Sequence, residues 1–541
     1  MVSQTNDIFS TTQPNLKWRE AMMKNRSSGI LAHITSLPSP YGIGDIGPSS
    51  YGFVDFLVGC DQSYWQFLPT GPTNTLFDNS PYMSTSAFAG SSMLISPDLL
   101  YQQGLIQKSL LDSCPEFSPY WADFANIRAY KEKLLQEAYL RFRPENCPEY
   151  AGFVQNNAWL DDYAMFMTFK ELYNNIGWFD WPRAVATRNA KTLALLFEQH
   201  IDRIHYYRFE QFEFFRQWQL LQNYSAAKNV QFFGDLPIYV SYDSVDVWAH
   251  QDIFDLDRQT FRPTHVSGVP PDYFSKTGQK WGNPLYDWQN EDRDIQDQLI
   301  NWWADRLSHL FKMVDMVRID HFRGFESYWS IPEKNETAEE GVWLKGPGRT
   351  FFDRIYEKLG PLNIVAEDLG IITAEVETLR DELAFPGMKV LQFAFDGEKD
   401  NSFLPHNFTS TNYIVYTGTH DNDTTVGWFL SDRLDDNQRS TIKRLANRTL
   451  GDHHAIHHDL IYLAQSSIAR LSIFPLQDIL GFGNDCKMNS PGVANGNWRW
   501  RCAGEFLTAE VAERMENTTR LFGRARPEAK TSGNPGKPPA S

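Results

Sequence analysis

Short apolar runs bounded by turn residues recur along the chain, and helically spaced stretches separate them. The runs are Gly29 to Leu37, Tyr64 to Pro69, Gln231 to Val240, Met316 to Phe322, Asn363 to Leu369, Met388 to Phe395, Asn412 to Thr417 and Leu471 to Gln477. Strands that are apolar on both faces belong to parallel sheets covered by helices. The covering helices are visible too: Phe53, Phe56 and Leu57 share one face over Tyr51 to Cys60, and Asp294 to Lys312 forms another helix. Eight such strands predict an α/β fold, a (β/α)8 TIM-type barrel with large inserted, mainly helical subdomains.

The rhythm breaks twice. Residues from about 73 to 229 are mostly helical in pattern and far exceed an ordinary crossover, so they form an inserted helical subdomain. Residues from about 241 to 293 carry Gly, Pro, Trp and Tyr in the composition of an ordered binding loop. A polar helical excursion lies between strands seven and eight, and Met488 to Arg501 is a loop dense in Asn, Gly and Trp before a last helix near Leu507 to Leu521. Residues 1–27 are expected to be a loose arm, 28–523 the catalytic barrel and 524–541, with four Pro and no apolar periodicity, a disordered tail.

Three strands end in acid. In KMVDMVRIDHFR, Met316, Arg318 and Asp320 share one face of an extended strand, so an Arg and an Asp point together where a buried strand should be apolar. NIVAEDLG leads into Glu367 and Asp368, and NYIVYTGTHDND into His420 and Asp421. An Asp after a strand commonly caps the next helix. Three coincident acidic ends at the face where such barrels keep their active sites favour a site instead. Paired carboxylates suit glycosidic bond chemistry, one ionised to attack and one protonated to assist the leaving oxygen. Arg318 beside Asp320 is expected to keep it ionised, and the apolar approach to Glu367 to raise that acid.

Composition narrows the ligand. A net charge of −17 argues against nucleic acid or an anionic membrane as partner and favours a neutral or cationic one. Aromatics make up 14% of the chain, with 17 Trp, enough to supply flat faces for sugar rings beyond the needs of a core. The five cysteines are scattered, with no CxxC, which points to a reducing compartment and to neither a disulfide framework nor a zinc site. No run reaches the length of a membrane span and the N-terminus has no signal-type apolar region, so a cytoplasmic protein is expected. Asp7 and Glu20 make the arm a poor transit peptide. His453, His454, His457 and His458 have i,i+4 spacing but no HExxH or Cys partner, and read as a solvated polar helix rather than a metal site. GIGDIG from Gly42 lacks a phosphate-loop Lys, and His33 reads as a wall or structural histidine. No metal or cofactor is expected.

LPTGPT with SPY, GDLPIYV, GVPPDYFSKTGQKWGNPLY, VRIDHFRG, VAEDLG, GTHDNDTTVGW and MNSPG with NWRWR, in this order from about Gly29 to Arg501, resemble the 4-α-glucanotransferase family, the amylomaltases or disproportionating enzymes. The resemblance implies a retaining transferase on an α-amylase-like barrel that moves α-1,4-glucan segments to the 4-hydroxyl of another glucan, a maltooligosaccharide or glucose. It further implies Asp320 as nucleophile, Glu367 as general acid and base, and Asp421 as the third carboxylate. Arg318, His321, Asp368 and His420 would line the cleaved site, Tyr82 and Asp235 the donor side, and Asp396 a further sugar contact. Asp272, Tyr273, Phe274 and Trp281 would belong to an acceptor-side loop. The family pattern GPTGxGDSPYQ is here GPTNTLFDNSPYM, with Asn74 for a Gly and Met83 for a Gln, which implies a donor-side loop of different shape. An α-glucan hydrolase using the same carboxylates is the rival activity, and a catalytically dead glucan-binding protein the rival class. The dead protein would lack a carboxylate, and all three are present.

Overall fold

The computed structural model describes residues 26–271, 275–448 and 456–527. Eight strands form one parallel sheet: β1 (Ser27–Leu31), β2 (Tyr64–Gln66), β3 (Gln231–Pro237), β6 (Met316–Asp320), β9 (Ile364–Ala366), β10 (Gly387–Val390), β11 (Tyr413–Tyr416) and β12 (Leu471–Pro475). The order β10-β11-β12-β1-β2-β3-β6-β9 leaves only β9 and β10 to meet, and the Ala366 N–H donates to the Pro386 carbonyl at 2.9 Å across that seam. The ring is the predicted barrel. Its short strands are buried almost throughout, as strands roofed by helices must be.

Each expected strand is present but shorter at its C-terminal end. The apolar run from Gly29 turns into a 3-10 helix at Ile34–Ser36, and the run from Met388 into another at Leu391–Phe393. Burial continues past each strand because the turns themselves are packed over the barrel mouth, and an apolar pattern cannot separate the two. The helix Pro48–Gly59 starts with Pro at its first position, and Arg293–Met313 is capped by Asp292, whose side chain accepts the Asp294 N–H at 2.9 Å.

Between β2 and β3 the described chain is helical, from Pro97–Gln102 to the 27-residue helix Ile201–Ala227. Phe214, on that long helix, stacks on Trp218, which in turn packs against Phe67 and Phe232 of the barrel.

Sequence periodicity missed a second sheet. Strands β4 (His265–Val269), β5 (Gln279–Pro284), β7 (Ser327–Pro332) and β8 (Val342–Lys345) form an antiparallel sheet in the order β5-β4-β7-β8. Two strands come from the segment after β3 and two from the segment after β6, so neither segment encodes the sheet alone.

The two ends of the described residues are stapled to the barrel. Arg524 is fully buried and donates to the carbonyls of Gln465, Ser27, Ser467 and Ala469 at 2.8–3.0 Å, and Arg26 donates to those of Phe522, Gln465 and Ser467. Arg26 and Arg524 are therefore packed with the barrel. Most of the expected arm and tail, with His453 and His454, lies outside the described residues. His457 is buried under Gly481, so that helix is not a freely solvated one. No described helix is long and apolar enough to cross a membrane.

Candidate active site

Strand register builds the centre of the site. On neighbouring β3 and β6, Asp235 lies directly beside Arg318 and Pro237 beside Asp320. The Arg318 guanidinium consequently grips both oxygens of Asp235 at 2.8 and 2.7 Å, while its other nitrogen reaches Asp320 at 2.8 Å. Asp235 is enclosed, whereas the Asp320 side chain keeps 31% of its surface open. A fork held twice on one side and once on the other fixes the position of Asp320 but does not neutralise it alone.

The next strand delivers Glu367 one residue past β9. Its carboxylate accepts the backbone N–H of His321 at 2.8 Å and that of Leu369 at 2.9 Å. The first bond exists because His321 adopts a left-handed backbone, φ 54° and ψ 49°, an uncommon state for a residue with a side chain and one that clusters at functional positions. The His321 ring meets Trp281 of β5 edge-on at 4.8 Å, and its Nε2 is buried with no partner among the described residues.

After β11, Asp421 is held by the side-chain amide of Asn489 at 2.6 Å and lies 3.2 Å from the His420 Nε2. Tyr82 links this wall to the centre: its hydroxyl donates to Asp235 at 2.7 Å and lies 3.0 Å from the same His420 nitrogen. Trp498 closes the wall, 5.8 Å from the Tyr82 ring and 5.9 Å from His420.

Charge crowding sets the acidities. Burial pushes Asp320 up to about 8, with Arg318 opposing and the charges of Asp235, Glu367 and Asp421 adding to the rise. Burial also raises Glu367, against Arg318 and the two backbone donors. Arg318 favours the ionised form of Asp320, as the sequence predicts, but it is shared with Asp235, and burial with the neighbouring carboxylates works against it. Burial lowers His420, and burial followed by the nearby Arg323 takes His321 to about 3, so these rings are neutral hydrogen-bonding groups.

Two expected sugar contacts are placed differently. Asp368 is buried, accepts the Met388 N–H at 2.7 Å and pairs with Arg380, so its carboxylate closes the β9/β10 seam instead of facing the cleft. Asp396 is exposed, and its oxygens cap its own turn through the Glu398 N–H and the Asn401 side chain at 2.9 and 2.8 Å. Asp272, Tyr273 and Phe274 lie outside the described residues. Sequence reasoning assigned nothing to Asn489 and Trp498, although both lie in the MNSPG and NWRWR motifs. A glycan-type motif carrying an amide and an indole was the available signal.

The family model described as 4-alpha-glucanotransferase matches residues 32–508. The chain belongs to the 4-alpha-glucanotransferase family. A 4-alpha-glucanotransferase of Synechocystis is 48% identical over 93% of this chain and 99% of its own length. The potato (Solanum tuberosum) chloroplastic/amyloplastic 4-alpha-glucanotransferase is 40% identical over 92% of this chain and 86% of its own. Among solved structures, amylomaltase from Streptococcus agalactiae in complex with acarbose superposes with a TM-score of 0.87 at 37% identity, covering 92% of this chain and all of that one. The family acts on α-1,4-glucans, and transglycosylation by a glycoside-hydrolase-type mechanism is the activity that fits it.

Proposed function

We propose that Asp320 attacks the anomeric carbon of an α-1,4-linked donor while Glu367 protonates the departing 4-oxygen. The glycosidic bond breaks as the Asp320 ester forms. The acceptor 4-hydroxyl then gives its proton to Glu367 and displaces Asp320, and two inversions leave the α configuration retained. Asp421 holds hydroxyls of the reacting ring. The observation that carries this reading is the convergence of Asp320, Glu367 and Asp421 at the ends of β6, β9 and β11, with Asp320 gripped by Arg318 and Glu367 by two backbone donors. The raised pKa of Glu367, caused by burial, fits an acid that must carry a proton near neutral pH. The unpartnered Nε2 of His321, together with Tyr82, Arg318 and His420, supplies donors and acceptors for sugar hydroxyls in the cleaved site and on the donor side, while the enclosed Asp235 holds Arg318 and Tyr82 in place behind them.

Maltooligosaccharides serve as donors, and they or glucose as acceptors. The acarbose named with the Streptococcus neighbour is a reasonable probe of the same cleft. The roles of the acids separate with an activated glycosyl fluoride, whose leaving group needs no proton. Glu367→Gln should regain its first step on that donor and Asp421→Asn should not; an equal response of the two variants overturns the division.

Transfer also requires that a sugar hydroxyl outcompete water at roughly 55 M, and well-oriented groups reach effective molarities of about 10⁵ M or more. Asp272, Tyr273, Phe274 and Trp281 are proposed to hold the acceptor. Replacing Tyr273 and Phe274 together with Ala should raise the share of hydrolysis about threefold or more, with donor cleavage reduced less. An unchanged ratio of free reducing ends to transferred glucan would leave the segment as scaffold. A cytoplasmic location is supported by the five unpaired cysteines, and cell fractionation checks it.

A further inference from the structure

We propose that Asp78, on the donor-side loop that departs from the family pattern, is a positioning residue that acts on Asp421 from a distance through a latched loop. This rests on the reading of Asp421 as a carboxylate that holds the reacting sugar.

The bonds run without a gap. The Asp78 carboxylate accepts the backbone N–H of Asn497 at 2.8 Å. The Asn497 side chain, buried at 8% exposure, accepts the Ser490 N–H at 2.9 Å and donates to the Val493 carbonyl at 2.7 Å. The residue before Ser490 is Asn489, whose amide holds Asp421 at 2.6 Å and whose backbone N–H donates to the His420 carbonyl at 3.1 Å. The Trp498 N–H closes the loop onto the Met488 carbonyl at 2.7 Å. Segment 489–498 is therefore a compact loop with Asp421 tied to one end and Asp78 to the other.

Strain at the latch point indicates that the attachment matters. Trp498 has φ 63°, a left-handed backbone that a bulky residue adopts only when its surroundings impose it. Its imposed position sets the indole beside Tyr82 and His420. The neighbouring constraint is the Asp78 bond to Asn497. Asp78 and Asn79 themselves have φ 51° and 58°, a turn that Asp and Asn tolerate, and Arg128 braces it through the Thr73 carbonyl and the Asn79 side chain at 3.3 and 3.4 Å. Leu76 and Phe77, at the loop tip, stand exposed at 76% and 40%. A loop with an outward apolar tip and an inward carboxylate is built to join the donor side of the cleft to the third carboxylate.

A bond that only stiffens a surface turn would alter stability and leave turnover alone. The experiment uses the full chain, maltotriose disproportionation with kcat and KM separated, and the variants Asp78→Ala, Asp78→Asn, Asn489→Ala and the double Asp78→Ala/Asn489→Ala. Asp78→Ala should lower kcat about tenfold with KM changed less than about threefold, because the lost interaction serves the transition state. Asp78→Asn, whose amide oxygen accepts the same N–H, should restore most of the rate. The double variant should turn over within about twofold of Asn489→Ala, since both lie on one path. Unchanged kcat in Asp78→Ala, or effects that multiply in the double variant, overturns the latch. Asp421→Asn separates the two readings: if it retains transfer, the role of Asp421 falls; if it loses transfer while the other effects multiply, only the latch falls.

Discussion

Two aspartate–arginine pairs sit at the barrel mouth, two strand ends apart, and have opposite fates. At the β3/β6 seam, Arg318 grips Asp235 and Asp320, and the second acid keeps nearly a third of its surface open to the cleft. At the β9/β10 seam, Arg380 and Asp368 are both almost wholly enclosed, and Asp368 also accepts a backbone N–H of β10. The residue types are alike, although Arg318 and Asp320 lie on β6 whereas Arg380 lies on the helix Ala374–Glu382 and Asp368 just past β9. What differs is whether the carboxylate has an oxygen left to offer. Both arginines are shared, Arg318 with Asp235 and Asp320, and Arg380 with Asp368 and the exposed Asp381. Only Oδ1 of Asp320 is bonded, which leaves that acid poised for chemistry, whereas both oxygens of Asp368 are engaged, so that closed pair is part of the frame.

The largest expected effect separates the pairs by rate. Asp320→Asn should lower transfer by about 10⁴-fold or more, because the amide keeps the shape and loses the attacking charge. Its thermal transition should survive. A variant retaining more than about a hundredth of the wild-type rate would remove Asp320 from the chemistry.

Arg380→Met should do the reverse. It strands a buried carboxylate, at a cost of about 3 kcal/mol or more by the usual measure of broken buried pairs, and the midpoint of denaturant unfolding should fall accordingly. The rate per folded molecule should change far less than in Asp320→Asn. A large loss of rate at unchanged stability would return Asp368 to the sugar-binding wall, where the family resemblance puts it.

The smallest effect lies in pH. Burial raises the folded-state pKa of Asp320 to about 8 against an ordinary carboxylate in the unfolded chain, so between those values the native state binds more protons. With more protons bound in the native state, stability falls as pH rises from about 4 towards 8. Asp320→Asn lacks that proton exchange and should gain on the wild type across the same window, by on the order of 1 kcal/mol once water in the cleft is allowed for. Denaturant midpoints of both proteins at pH 5 and pH 8 measure it. A difference that does not widen would show that Arg318 neutralises Asp320 after all, erasing the contrast with the closed pair.

Local pattern was sufficient for the barrel and for its three acidic strand ends, because burial on both faces and alternation along a strand are written into consecutive residues. It also carried the family, through motifs spaced over most of the chain. The four-stranded sheet was not legible, since its two local pairs, β4 with β5 and β7 with β8, join only through β4 and β7 across β6. The strand ends were overestimated because packed turns are as apolar as strands. The division between Asp320 and Asp368 was equally hidden: each is an Asp after an apolar run, and only the surrounding elements decide whether its second oxygen is engaged. The same holds for the link from Asp78 to Asp421, more than three hundred residues apart in sequence and joined by a loop from beyond the last strand. Sequence by itself determined which residue types arrive at the barrel mouth. Tertiary structure decided what each carboxylate faces, because hydrogen-bond partners and burial are set by segments that meet only when the barrel closes.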